Sequence, residues 1–115
     1  MARVRVMYWK EIPVQVQAED GDGQVSLPLD ARFQEAADAI AMLDGSAGSD
    51  EYLDAWEWGA FEEAPGTAAE AAEARASLYN ERIPGDFVAR IRDMHRDGSR
   101  DPRPGAIDAW ADEQQ

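Results

Sequence analysis

Residues 2–9 alternate strictly, with Val4, Val6 and Tyr8 on one side and Arg3, Arg5, Met7 and Trp9 on the other. A period of two predicts a half-buried strand whose second face turns apolar toward its end. Pro13 has no amide hydrogen and disfavours helix at Ile12, so the chain stays extended or bends there, with Lys10 and Glu11 turned outward. Val14, Val16 and Ala18 then alternate with Gln15, Gln17 and Glu19 as a second strand. Asp20-Gly21-Asp22-Gly23 is a turn signal, and Val25, Leu27 and Leu29 make the third strand of a hairpin.

The period then lengthens. Asp30 stands where a short side chain caps a first helical turn, and Phe33, Ala36, Ala37, Ile40 and Leu43 recur at helical spacing, predicting a helix over 31–43. Residues 52–61 are predicted as a strand: Tyr52, Asp54, Trp56 and Trp58 would share one face, and Gly59 would weaken a helix. As a helix the same stretch would align Tyr52, Ala55, Trp56 and Gly59. Thr67 opens an Ala- and Glu-rich second helix with a thin stripe of Ala71, Ala74 and Leu78, and Pro84-Gly85 stops it. A third helix over about 87–96 carries Phe87, Val88, Ile91 and Met94. The stretch DGSRDPRPG is too polar and too rich in Gly and Pro to hold a core. The reading is therefore one domain over 1–97 and a flexible extension over 98–115, in which Ile107, Ala109 and Trp110 form a short docking segment.

Assembled, these elements predict an α+β fold, strand–strand–strand–helix–strand–helix–helix, with a mainly antiparallel sheet and helices on one face. The third and fourth strands are expected to run parallel through a right-handed crossover over the first helix. At 115 residues, one such domain uses the whole chain.

Charge narrows the function classes. With 24 acidic against 11 basic residues and a net charge of −13, the chain repels phosphate backbones and anionic bilayers and favours a partner with a basic surface. The expectation is a cytoplasmic protein with no nucleic-acid or membrane partner, since no signal sequence or apolar run of about 20 residues is seen. Cysteine is absent, which removes disulfides and thiolate chemistry. His95, the only histidine, reads as a solvated residue between Arg92 and Arg96, and the carboxylates Asp50, Glu51, Asp54, Glu57, Glu62 and Glu63 read as a solvated or partner-facing surface. No phosphate-binding loop, nucleophile elbow or zinc-protease motif occurs, so no catalytic residue, cofactor or metal site is expected.

The concentration of aromatic side chains on predicted strands is the remaining signal. Tyr8, Trp9, Lys10, Tyr52, Trp56 and Trp58 are the partner-binding candidates, because large rigid rings bury area at low entropic cost.

The combination of YWKEIP followed by QV, then LDARFQEAADAIAM and YLDAWEWG, resembles the small bacterial "virulence factor" domain family over roughly residues 3–83. The same domain closes larger conserved virulence factor C-like proteins, joined there to an Nfu N-terminal-like domain and helical repeats. The resemblance implies an accessory or adaptor role and no catalytic residue. The balance of features favours an acidic accessory protein acting through an aromatic sheet surface over an enzyme. A ligand-binding or enzymatic subunit with those rings lining a pocket, Lys10 or Arg3 holding an anion, is the second reading. A homo-oligomer using the rings as its self-interface is the third.

Overall fold

The structure is a computed structural model and describes residues 1–112. The three alternating segments form β1 (Ala2–Trp9), β2 (Ile12–Asp20) and β3 (Gly23–Pro28), paired antiparallel in chain order. Asp20 shapes the second turn: its side chain accepts from the amides of Asp22 at 2.7 Å and Gly23 at 3.1 Å. Its other oxygen accepts from the amide of Ala68 at 2.7 Å, tying the hairpin tip to the start of a helix. The free edge of β1 takes two short antiparallel strands, β4 (Trp56–Trp58) and β5 (Glu62–Ala64), giving the order β3-β2-β1-β4 with β5 also on β1.

The helices are α1 (Ala31–Asp44), α2 (Asp50–Asp54), α3 (Ala68–Arg82) and α4 (Phe87–Asp97). α3 lies across β1, β2 and β3, α1 packs on β2, and α4 packs on α1. The core gathers Val4, Val6, Val16 and Ala18 from the sheet with Phe33, Ile40, Ala72, Tyr79, Phe87 and Ile91 from the helices. Burying each larger apolar side chain is worth about 1.5–3 kcal/mol, and the alanines of α3 let its backbone approach the sheet closely. Thr67 and Glu70 close a capping box at the start of that helix. Its buried stripe is Ala68, Ala71, Ala72, Ala76 and Tyr79, so Ala74 faces outward.

The α+β class, the antiparallel sheet and the helical layer follow the sequence pattern, but three local expectations give way. Residues 52–61 are not one strand: Asp50–Asp54 is helical, and only Trp56–Trp58 pairs with β1. The helical turn sets the Tyr52 ring against both Trp9 and Trp56, a gain that strict alternation cannot offer. β3 and β4 are not parallel neighbours either, since β1 and β2 lie between them.

The third difference concerns the expected flexible extension. Gly98, in the left-handed region at φ 84°, ends α4 and turns the chain back along the domain. The Arg100 side chain is only 7% exposed, Ile107 and Ala111 are buried, and a 3-10 turn spans Asp108–Asp112. Single side chains do the anchoring, and for that reason apolar periodicity gives no sign of it. Positions 113–115 of the expected extension lie outside the described residues.

Asp108 is one anchor. Its Oδ2 accepts from the Tyr8 hydroxyl at 2.6 Å and the Tyr79 hydroxyl at 3.1 Å. Burial pushes the carboxyl above its usual range, and the two hydroxyls only partly offset that. Burial, with the carboxyl facing it, pushes the Tyr79 phenol up to about 12. The hydroxyl bonds favour the charged carboxylate and burial disfavours it more, so the group's net contribution to stability is full below its ordinary 3.8 and is lost as pH rises through the raised value. Asp108→Asn keeps an acceptor without the buried charge and is expected to match or exceed the parent stability at pH 7 in urea unfolding. Asp108→Ala takes away the acceptor that both hydroxyls share and should lose about 1–3 kcal/mol.

Candidate functional site

Alternation along β1 sends Ala2, Val4, Val6 and Tyr8 into the helical layer and Arg3, Arg5 and Met7 to the opposite face. The register fills that second face: Gln17 and Glu19 stand beside Arg5 and Arg3, and Gln15 and Trp58 flank Met7. Phe61 completes it. The Arg5 guanidinium lies 4.2 Å from the Trp58 ring centroid and 4.6 Å from that of Phe61, and Arg3 lies 4.6 Å from Phe61. Such stacking is worth about 0.5–1 kcal/mol per pair at exposed sites. Arg5 also donates to Gln17 at 2.7 Å, and Arg3 is paired with Glu19. The arginines thus stack on the rings, and Met7, Trp58 and Phe61 stay half-exposed.

The six sequence candidates separate into three places. Tyr8 is buried under the helices, on the wrong side to join the others. Trp9 is fully buried in the core, covered by Tyr52 at a ring separation of 5.7 Å and donating its indole N–H to the Tyr52 carbonyl at 3.0 Å. Trp56 meets Tyr52 edge-on at 6.0 Å, and both stay half-buried. Trp58 alone of the six stands in the open arginine-laced part of the face. Arg5, Met7 and Phe61 are not among the sequence candidates and Arg3 is there only as an anion holder, although the alternation of β1 already places Arg3, Arg5 and Met7 on one side.

Lys10 goes to a polar hub at the β1–β2 turn. It adopts φ 51°, the left-handed region, where a non-glycine residue is strained by roughly 1–2 kcal/mol. That conformation aims its ammonium at Asp44 at 2.8 Å, the Ser46 hydroxyl at 2.9 Å and Glu51 at 3.3 Å. Glu11 does not turn outward. It is fully buried, held by a two-pronged pair from Arg100 with Nε at 2.7 Å and Nη2 at 2.8 Å, while Nη1 of the same guanidinium reaches Asp44 at 3.0 Å. Over this hub opens a cleft of about 350 Å³ lined by Lys10, Asp44, Glu51, His95, Gly98, Arg100 and Pro102.

The cleft is polar, but its charges are already used on one another. Both cations are bonded to carboxylates, so neither is free for an anion, and the Ser46 hydroxyl is buried out of reach of any substrate. Among the described residues no three acidic or histidine side chains converge as metal ligands. Burial would raise the Asp44 carboxyl, yet hydrogen bonds from Lys10, Ser46 and Arg100 outweigh it and hold it at about 2. A depressed acid contributes stability above its ordinary 3.8 and loses it as pH falls toward 2. Ser46→Ala removes a hydroxyl shared by Lys10, Asp44 and Glu51. It should cost about 1–3 kcal/mol at neutral pH and move the acid limb of the unfolding curve upward, both measurable by circular dichroism.

Among the described residues no helix is long and apolar enough to cross a membrane. Compared with curated proteins and with solved structures, the chain has no match. A family model described as "Virulence factor" matches residues 7–91, beginning at Met7 just before the YW of the quoted motif and ending inside α4, so that Arg100 and Asp108 lie beyond it. The match takes in well over half of the chain, and the protein belongs to the virulence factor family.

Proposed function

We propose that this protein is a binding module: a small acidic accessory protein that docks a partner protein on the open face of its sheet. One observation carries the reading. Trp58, Phe61 and Met7 are half-exposed on the face of β1 turned away from the core, and Arg3 and Arg5 stack on the two rings. Rings held in place before contact lose little freedom on binding, which is what interface hot spots use. Glu19 and Glu63 flank the face, and the chain as a whole carries −13, so a partner with a basic rim suits it. The hub cleft supports an enzymatic reading less well, because its cations and hydroxyl are consumed internally.

Trp58→Ala tests the proposal. The ring packs on Arg5 rather than into the core, so the loss in thermal stability should stay within about 1 kcal/mol. Proteins captured from the native host by the parent chain should be lost with Trp58→Ala and kept with Ser77→Ala, which changes an exposed position on α3. Equal capture by all three chains contradicts the open-face reading. Light scattering at two concentrations separates a further outcome: a dimer that Trp58→Ala dissolves makes the face a self-interface instead.

A further inference from the structure

β3 forms one edge of the sheet, and among the described residues no strand pairs with its outer side. The amide of Leu29 donates to the carbonyl of Val14 at 3.0 Å, which fixes the phase of the β2–β3 ladder. Leu27, Val25 and Gly23 then direct their backbone groups at Val16, Ala18 and Asp20, and Gln24, Ser26 and Pro28 direct theirs away from the sheet. The outer edge therefore offers the N–H groups of Gln24 and Ser26 and the carbonyls of Gln24, Ser26 and Pro28, all on exposed residues. Neither N–H has a hydrogen-bond acceptor among the described residues. β3 itself, GQVSLP, contains no charged side chain, the usual device by which an edge strand deters pairing.

The charge around that edge selects the occupant. From Glu11 to Ala31 the chain has no lysine or arginine but has Glu19, Asp20, Asp22 and Asp30, and three of these aspartates bracket the two ends of β3. A second copy is a poor fit. Antiparallel registers centred on Val25 or Ser26 set Asp20 or Asp22 against Asp30 of the second copy, between chains that each carry −13. We infer that the β3 edge is a strand-addition site for an extended segment of another protein, about six residues long, with basic residues at both ends and apolar residues between. The segment bonds Gln24 and Ser26 through its backbone, sets apolar side chains beside the half-buried Val25 and Leu27, and brings its basic ends to Asp22 and Asp30. This surface is distinct from the open face around Trp58, and it stands or falls independently of that reading.

The test uses the full chain and the capped peptide Lys-Val-Thr-Val-Thr-Lys as probe, with Glu-Val-Thr-Val-Thr-Glu as its charge-reversed control. In the free protein the amides of Gln24 and Ser26 should exchange with solvent rapidly and those of Val25 and Leu27 slowly. Saturating lysine peptide should slow Gln24 and Ser26 at least about tenfold and shift their amide resonances most, and the glutamate peptide should do neither. Ser26→Pro removes an outward N–H without removing a bond to β2, so it should weaken peptide binding at least about tenfold. Slow exchange at Gln24 and Ser26 in the free chain, equal response to both peptides, or shifts centred on Trp58 would each overturn the proposal. Because the exchange measurement is made on the unmodified chain, it decides the matter even if Ser26→Pro fails to fold.

Discussion

The buried pairing of Glu11 with Arg100 is the interaction on which the rest of the arrangement depends. An unpaired carboxylate at a fully buried position would cost several kcal/mol, so the tight turn between β1 and β2 can close as it does only if a cation comes to it. That cation arrives from 89 positions along the chain, on the segment that follows α4. Once there, the guanidinium also bonds Asp44 at the end of α1, and Asp44 in turn bonds Lys10. One side chain thereby joins the first hairpin, the first helix and the C-terminal segment. With the cationic groups committed to carboxylates, the hub is a joint of the fold, and the exposed chemistry lies elsewhere.

The sheet divides those roles between its two faces. Val4, Val6, Val16 and Ala18 are covered by the helices and supply apolar burial. On the opposite face the arginines stack on Trp58 and Phe61 instead of meeting water alone. Tyr52 of α2 covers Trp9 and donates its hydroxyl to Asp38 of α1. The family match begins at Met7 and so includes the turn that buries Glu11, but it ends before Arg100, its neutralising partner. The matched core and the segment beyond it are thus energetically one unit in this chain.

What was legible in the sequence was what repeats. The period of two in β1 and β2 and the helical spacing from Phe33 to Leu43 each report a continuous apolar face, and the class and layering followed from them. The same alternation could not show that Tyr52 would cover Trp9 and bury it. Residues 52–61 misled because aromatic content suits a strand, while the observed turn of helix is selected by ring contacts with β1 that only the folded chain supplies. The anchoring of 98–112 was legible only in part: the apolar Ile107 and Trp110 marked a docking segment and do pack on the core, whereas Arg100 and Asp108 act singly and at long range among residues that read as a linker.

The central claim is that Glu11 and Arg100 stabilise the fold jointly rather than separately. A double-mutant cycle with Glu11→Gln, Arg100→Met and the pair together, followed by urea unfolding at neutral pH, addresses it directly. The account predicts that each single change costs about 3–5 kcal/mol and that the double change costs clearly less than the sum of the two. Strictly additive losses, or an Arg100→Met chain as stable as the parent, would contradict it.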